Sequence, residues 1–299
     1  MRKGLLAACL ALNATAAVAA PVVRMPVAPV PQQPVSCSED AGWDEPMPPR
    51  HVFGNVWYVG TCGITSVLLA SPQGHVLIDG GAQMGAERIE ANLRALGVDV
   101  KDIKYILVSH EHFDHVGGVA KLQRDSGASV LTRQPAVVTL KRGVSDRRDP
   151  QLEVLERFPA IAQVHAITSD GILRAAGRSI QNIPMPGHTP GGSGWAWREC
   201  EGQTCLNFVY SDSVSAISDK TYRYGAPGAL AKPLRQSLQR LEKARCDVLL
   251  TTHPSTSNLI ERLEGQAPLV KSSACRTLAA TAGAALDKRL ADEAAGKAP

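Results

Sequence analysis

Three histidines and an aspartate fall within six residues of this chain, in the stretch His-Glu-His-Phe-Asp-His at 110–115. An apolar run typical of a β-strand precedes it at 105–108, and Gly117 and Gly118 follow it. A strand is therefore expected to end here, and the chain to turn. Imidazole and carboxylate groups are ligands of open catalytic zinc sites, where three protein side chains hold each ion. Four such side chains in one turn predict a site for more than one metal ion.

A helix is the alternative for this stretch. His110 and Asp114 are spaced i,i+4, and His112 and His115 are spaced i,i+3, so each pair could share a helical face. The β-branched and aromatic residues before the cluster and the glycines after it favour a strand followed by a loop. We therefore expect the four side chains to leave a loop at the end of a strand.

Two further histidines occupy the same kind of position. His188 lies in Gly-His-Thr-Pro-Gly-Gly after an extended segment, and His253 lies just past an apolar strand-like run. Ligands gathered at strand ends are the general arrangement of α/β active sites. We therefore add both to the predicted metal site, and interpret His51, His75 and His165 as ordinary core or surface residues.

Strand-like and helix-like patterns alternate along the chain and predict an α/β fold. The predicted strands cover residues 56–59, 64–69, 75–78, 104–108, 129–131, 163–167, 172–175 and 179–184, a hairpin over 193–211, and 247–250. The predicted helices cover residues 86–96, a short stretch around Leu122, residues 230–241, and a C-terminal segment from about 265. Residues 142–160 are polar and contain prolines, which indicates a loop that lines the site.

The N-terminus has the pattern of an export signal. A basic start is followed by an Ala/Leu-rich run at 5–18 and by the small-x-small sequence at 17–19, so we expect residues 1–20 to be removed. The run is too short to span a bilayer, and no later apolar stretch reaches about 20 residues, so no membrane span is expected in the mature protein. A proline-rich lead-in follows the signal.

Composition excludes a nucleic-acid partner. The net charge of the 299-residue chain is +4, and Arg2 and Lys3 of the signal supply two of these charges. The mature chain therefore carries only about +2, which is no signature of nucleic-acid binding.

Export changes the interpretation of the cysteines. Loss of the signal takes Cys9 and leaves six cysteines, an even number that indicates disulfides, although six allow 15 connectivities and some could be free buried thiols. Cys200 and Cys205 flank a turn between two strands and are expected to pair. The pairs that complete the expected set are Cys246 with Cys275 and Cys37 with Cys62.

Taken together, the three histidine motifs resemble the metallo-β-lactamase superfamily. The closer resemblance is to class B β-lactamases of the third subclass, whose metal ligands include no cysteine. The segment Asp-Ser-Val-Ser at 212–215 and the cysteine set point to that subclass. The resemblance covers nearly the whole mature chain. It implies one domain over 21–299, a four-layer αββα sandwich with two mixed sheets packed between helices and the site at one edge of the sheets.

The resemblance also implies two zinc ions per chain. Its expected ligands are His110, His112 and His188 for one ion, and Asp114, His115 and His253 for the other. Two zinc ions about 3.5–4 Å apart can share a bridging water and lower its pKa to about 7. Asp114 is also expected to orient this nucleophile, as the catalytic carboxylate.

Three residues are candidate substrate contacts. Ser213 stands where related subclasses use a metal-binding cysteine, so the family pattern leaves Ser213 and Ser215 free to bind the substrate carboxylate or site waters. The alternative is that both serines only satisfy backbone groups. Gln151, in the 142–160 loop, is the third candidate.

The implied function is zinc-dependent hydrolysis of small-molecule β-lactam antibiotics by a periplasmic, monomeric enzyme that confers antibiotic resistance. One rival is another hydrolase of the fold, a thioesterase of the glyoxalase II type or a lactonase. In such enzymes an aspartate near Asp212 bridges both metals, so the rival gains if Asp212 rather than Ser213 faces the ions. A non-catalytic zinc-binding protein of the periplasm is the second rival.

Overall fold

The computed structural model describes residues 23–27, 35–38, 40–167 and 171–297. The predicted export signal at 1–20 lies outside the described residues. Among the described residues, no helix is both long enough and apolar enough to cross a membrane.

Two mixed β-sheets form the centre of the fold. The first has seven strands, which lie side by side in chain order: Arg50–Phe53 (β1), Val56–Tyr58 (β2), Val67–Leu69 (β3), His75–Ile78 (β4), Ile103–Leu107 (β5), Ser129–Thr132 (β6) and Val164–Ala166 (β7). The first four strands are antiparallel, and β4 to β7 are parallel. The parallel strands direct their carboxyl ends to one edge, where the metal ligands were predicted.

The second sheet has five strands in the order β12-β11-β10-β9-β8. They are Ile172–Ala175 (β8), Arg178–Pro184 (β9), Ser193–Glu201 (β10), Thr204–Ser211 (β11) and Val248–Thr251 (β12). All neighbours are antiparallel except β11 and β12, which are parallel. Strands β5, β11 and β12 therefore all end just before predicted site residues.

In the part of the chain that the structure describes, seven α-helices cover the two sheets. They are Gly85–Ala95 (α1), Phe113–Val116 (α2), Val119–Ser126 (α3), Gln134–Arg142 (α4), Ala231–Lys243 (α5), Leu259–Leu263 (α6) and Ala274–Ala294 (α7). Two short 3₁₀-helices lie at Val100–Asp102 and Pro254–Ser257. Helix α3 ends at Gly127, which adopts the left-handed conformation that favours glycine.

Alternating side chains on the strands build three apolar layers. Val76 and Ile78 of β4 pack between the two sheets, whereas Leu77 packs against the helices of the first sheet. In β12, Leu250 faces the space between the sheets and Leu249 faces α5 and α7. Because both faces of these strands are buried, their sequences read as continuous apolar runs. The predicted four-layer αββα sandwich is confirmed.

Several predicted boundaries are wrong. Strand β3 begins only at Val67, because the N–H of Thr61 donates to the carbonyl of Ile64 and closes a turn over 61–64. The C-terminal helix begins at Ala274 rather than near 265. Helix α4 was not predicted. The 142–160 segment contains no regular strand or helix after Arg142, as expected.

All three expected disulfides are present. Cys200–Cys205 closes the turn between β10 and β11. The other two join distant segments: Cys37–Cys62 and Cys246–Cys275. The last pair fixes the start of α7 beside the start of β12, and so holds the C-terminal helix on the second sheet.

We predict that the disulfides differ in their contribution to stability. Replacing Cys246 and Cys275 by Ala opens a loop with a sequence separation of 29, whereas replacing Cys200 and Cys205 opens one of 5. Chain entropy gives a loss of about 3.5 kcal/mol for the first pair and about 2 kcal/mol for the second. Chemical denaturation of the two double variants measures both losses, and equal losses would contradict this account.

Candidate metal centre

The predicted cluster divides between a loop and one helical turn. Strand β5 ends before His110, and His110 and His112 lie on the irregular segment that follows. Asp114 and His115 lie on α2, so the expectation that all four side chains leave a loop is wrong for these two. An acidic residue in the first turn of a helix is favoured by the helix dipole.

The glycine pair after the cluster lets this helical turn pack against the end of β4. A Cβ atom on Gly118 would lie 2.4 Å from the carbonyl oxygen of Gly80, and one on Gly117 would lie 2.7 Å from the backbone of Ala82. Any larger residue would push the turn, and the ligands on it, away from the sheet.

Two groups of side chains have the arrangement of metal sites. His110, His112 and His188 are buried and bring one potential ligand atom each within 4.8 Å of one another. We call them the three-His group. His110, Asp114 and His115 are also buried and bring one potential ligand atom each within 4.8 Å of one another. Because His110 belongs to both sets, the two sets are adjacent.

His253 joins Asp114 and His115 in the second group. Asp114 Oδ2 lies 3.0 Å from His115 Nε2 and 3.3 Å from His253 Nε2, and the two Nε2 atoms are 3.4 Å apart. A tetrahedral zinc ion with bonds of about 2.0–2.1 Å separates its ligand atoms by about 3.3 Å. The spacing of this Asp-His-His group therefore fits one such ion.

The hydrogen bonds of the three-His group also fit a metal. His110 Nδ1 lies 2.8 Å from Asp212 Oδ1, whereas its Nε2 is buried without a hydrogen-bond partner among the described residues. A polar atom left unpaired in the interior is costly, and a metal ion at this position would satisfy it. His112 Nε2 lies 3.0 Å from Asp149 Oδ2, which leaves His112 Nδ1 for a metal.

The third ring is held by a serine. His188 Nδ1 lies 3.1 Å from both the carbonyl oxygen and the Oγ atom of Ser215. Its Nε2 faces the other two rings, and Gln151 Nε2 lies 3.3 Å from it. Each ring therefore has one nitrogen held by an oxygen, as is typical of metal-binding histidines, and its other nitrogen can serve as a ligand; at His188 a metal would take the place of the Gln151 amide.

Asp79 supports the second group from the end of β4. It is fully buried, has a φ of 60°, and accepts hydrogen bonds from the N–H and hydroxyl of Ser109 and from the hydroxyl of Tyr210. Its Oδ2 lies 3.4 Å from His115 Nδ1, too far for a well-formed hydrogen bond but close enough to orient a charged ring. Neither Asp79 nor Asp149 was predicted as a site residue. The position of Asp79 directly after a buried strand was an available signal.

The two groups differ in which of their side chains are ionised. Burial, aided by the charge of neighbouring imidazoles, holds the pKa of His110 well below its usual value and lowers the pKa of His188 to about 3. Burial disfavours the charged form of His115 too, but Asp114 and Asp79 outweigh it and raise the pKa of His115 to about 10. Burial likewise opposes ionisation of Asp114, yet His115 and His253 hold its pKa well below the usual value.

The predicted substrate contacts lie with the ligands around one cavity. Its volume is about 850 Å³, and Gln151, Ser213 and Ser215 line it together with metal-group residues. Ser213 Oγ lies 2.9 Å from Thr252 Oγ1. Exposed apolar side chains also border the cavity: Trp43, Val154 and Ile217. The cavity therefore combines polar groups near the ligands with an apolar rim.

Asp212 lies behind His110. One of its oxygens contacts His110 Nδ1, and the other packs against Gly192, where a Cβ atom would lie 2.3 Å from Asp212 Oδ2. Burial raises the pKa of Asp212 well above its usual value. Asp212 Oδ1 is thus engaged at the nitrogen opposite His110 Nε2, the ring atom available to a metal, whereas Asp212 Oδ2 is buried without a hydrogen-bond partner among the described residues.

The other histidines lie outside the site. His75 is buried, with Nδ1 accepting from the N–H of Ser71 and Nε2 3.0 Å from the carbonyl of Arg24. His51 and His165 are exposed.

Comparison with known proteins agrees with this arrangement. The family model of the metallo-beta-lactamase superfamily matches residues 59–200. The structure of Rm3 metallo-beta-lactamase is similar, with a TM-score of 0.82 and 41% identity over 87% of this chain and 99% of that one. MEM-A1, a subclass B3 metallo-beta-lactamase from a soil metagenome library, has a TM-score of 0.82 and 38% identity over 86% of this chain and 100% of its own. MIM-1 from Novosphingobium pentaromativorans has a TM-score of 0.81 and 41% identity over 86% and 94%.

The chain belongs to the metallo-beta-lactamase superfamily. Shorter matches reach other hydrolases of that superfamily. A hydroxyacylglutathione hydrolase of Albidiferax ferrireducens is 36% identical over 104 residues, 35% of this chain and 31% of that protein. The N-acyl homoserine lactonase AttM of Azorhizobium caulinodans is 30% identical over 76 residues, 18% of this chain and 29% of that protein. The chain thus spans less than a third of either curated relative.

We predict that metal binding to the Asp-His-His group releases a proton at neutral pH. His115 holds a proton until well above pH 7 and must lose it to become a ligand, so binding should release this proton in addition to any lost by a metal-bound water, and should strengthen as pH rises. The three-His group contains His110 and His188, whose lowered pKa values leave them neutral, so they release none. Calorimetric zinc titration in buffers of different ionisation enthalpy counts the protons.

The His253→Ala variant is the control, because it removes one ligand of the Asp-His-His group and leaves the three-His group complete. Its remaining zinc should bind without release of the His115 proton. Equal proton release in the wild type and this variant would contradict the assignment.

Proposed function

We propose that this protein is a di-zinc hydrolase that opens the β-lactam amide bond of penicillins, cephalosporins and carbapenems. The observation that carries the proposal is the pair of adjacent metal groups, without a cysteine, at one wall of the cavity. The identity of about 40% to B3 enzymes over most of the chain supports it.

Each group would hold one zinc ion. The ligands are His110, His112 and His188 in the three-His group, and Asp114, His115 and His253 in the other. When bound, the two ions supply a nucleophilic water at neutral pH and polarise the substrate carbonyl. The protein fixes the direction of each imidazole of the three-His group through oxygens of Asp212, Asp149 and Ser215.

Asp114 is the catalytic carboxylate of the proposal. Its Oδ2 faces His115 and His253, and its lowered pKa keeps it ionised at neutral pH. An ionised carboxylate in the cavity wall can orient a water molecule and take its proton.

Ser213, Ser215 and Gln151 would bind the substrate. Among the described residues the Ser213 hydroxyl contacts Thr252, and a hydroxyl has capacity for a further hydrogen bond. Ser215 orients His188 and lines the cavity, so it would position a ligand and a substrate together. Gln151 would present its amide from the loop over the same cavity. The apolar rim suits the hydrophobic substituents of β-lactams.

The position of Asp212 disfavours the thioesterase and lactonase alternatives. A bridging carboxylate must direct an oxygen between the two ions, whereas Asp212 Oδ1 lies 2.8 Å from His110 Nδ1, on the side of the ring away from the nitrogen available to a metal. The similarity to a hydroxyacylglutathione hydrolase and to a lactonase keeps these reactions as the comparison to test. The cavity beside the metal groups, which is large enough for a small-molecule substrate, disfavours a solely metal-binding role.

Export to the periplasm and a monomeric state complete the proposal. Three disulfides form in an oxidising compartment, which supports processing of the signal at 1–20. In the periplasm the enzyme would intercept β-lactams before they reach their targets and so confer resistance.

The first prediction concerns the substrate. The purified zinc-loaded protein should hydrolyse a carbapenem and a cephalosporin, lose this activity with a chelator, and be insensitive to serine-directed inhibitors, because no serine acts as nucleophile. Parallel assays with a glutathione thioester and an acyl homoserine lactone provide the comparison. Turnover of the thioester or lactone without β-lactam turnover would refute the proposal.

The second prediction concerns the metal ligands. His253→Ala and His188→Ala should each reduce the zinc content from about two ions per chain to about one, because each leaves one group complete. His165→Ala, at an exposed site far from both groups in the chain, is the matched control. Unchanged zinc content in either ligand variant, measured by mass spectrometry of the metal, would contradict the assignment.

A further inference from the structure

Glu111 stands between two metal ligands in the sequence but faces away from them. Its side chain is 1% exposed, and its carboxylate bonds to the loop that carries His188. Thr189 Oγ1 donates to Glu111 Oε2 at 2.8 Å, and the N–H of Gly191 donates to Glu111 Oε1 at 2.9 Å. Both carboxylate oxygens are therefore used within one loop.

We propose that Glu111 is a positioning residue that clamps the His188 loop against the segment carrying His110 and His112, and thereby sets the geometry of the three-His group. This inference rests on the proposed zinc site. Its physical basis is the short connection: Glu111 adjoins two ligands in the chain, and Thr189 adjoins the third.

The loop is shaped to bring its backbone onto this carboxylate. A Cβ atom on Gly191 would lie 2.5 Å from Glu111 Oε2 and 2.4 Å from the Cβ of Ala136, so only glycine permits the approach. Arg133 supports the other side of the loop, where its Nη1 lies 3.1 Å from the carbonyl of Gly192 and 3.4 Å from that of Pro190.

The clamp acts on one metal group only. Metal–ligand distances tolerate deviations of about 0.2 Å, so a small displacement of His188 would weaken the three-His group. Asp114, His115 and His253 make no hydrogen bond to Glu111 or Thr189 among the contacts of the described residues. Loss of the clamp should therefore leave the second group intact.

The clamp requires hydrogen bonds rather than charge, and this distinction defines the variants. Glu111→Gln can keep both bonds, because its amide oxygen accepts from Gly191 and its NH₂ donates to the Thr189 hydroxyl. Glu111→Met has a similar size but makes neither bond. Thr189→Val removes the hydroxyl at nearly constant volume, and Thr189→Ser restores it.

Zinc affinity, not activity, is the readout. The variants are made in a His253→Ala background, where the three-His group alone is complete, and in a His188→Ala background, where the other group alone is complete. Competition with a chromogenic chelator then gives the zinc Kd of each group. Glu111→Met and Thr189→Val should raise the Kd of the three-His group about 10- to 100-fold and leave the other Kd unchanged.

Glu199→Met is the matched control. Glu199 is another buried carboxylate, but it is paired with Arg178 and accepts from the N–H of Asn55. Its replacement should lower the melting temperature without changing either zinc Kd. Thr189→Val tests the proposal independently if Glu111→Met fails to fold.

The outcomes separate this inference from the proposed function. Retained affinity in Glu111→Gln and Thr189→Ser, with selective loss in the other two variants, supports the clamp. An unchanged Kd in Glu111→Met, equal losses in both backgrounds, or a loss in Glu111→Gln as large as in Glu111→Met would overturn it while the wild type still binds two zinc ions. A wild type that binds no zinc would refute the proposed function itself.

Discussion

The pairing of each imidazole of the three-His group with an oxygen atom is the interaction on which the proposed metal centre depends. An imidazole presents a defined nitrogen to a metal only when its other nitrogen is held by an acceptor. Asp212 holds His110, Asp149 holds His112, and a serine holds His188. These acceptors come from distant parts of the chain, so the rings acquire their directions only when the whole domain is folded.

Packing of the two sheets brings the acceptors and ligands to one edge. Tyr210, on β11 of the second sheet, donates to Asp79 at the end of β4 in the first sheet and to the carbonyl of Thr65. Asp79 in turn accepts from Ser109, immediately before the cluster. The same contact therefore joins the sheets and anchors the ligand segment, which couples the site to the apolar layer between the sheets.

The residues of the two metal groups could be predicted because a side chain at the end of a strand has a recognisable local sequence pattern. An apolar run followed by His and then Gly or Pro marks a strand end, and His188 and His253 have this pattern as clearly as the hexapeptide. Asp149 has no such mark, since it lies in an irregular segment whose path depends on tertiary contacts. The four-residue helix α2 is too short to show helical periodicity, so its two ligands were assigned to a loop. The left-handed backbone of Asp79 is likewise visible only in the structure.

The adjacent residues Asp212 and Ser213 show how strand geometry selects between chemistries on one fold. Both residues lie directly after strand β11, and their side chains have different partners. Here both residues border the cavity, but Asp212 Oδ1 contacts His110 Nδ1 whereas the Ser213 hydroxyl contacts that of Thr252. A bridging carboxylate would require the reverse orientation, which would also take the acceptor from His110 Nδ1. The Asp212 oxygen that orients His110 from behind is not available to bridge two ions, and the next residue at this strand end presents a neutral hydroxyl to the cavity.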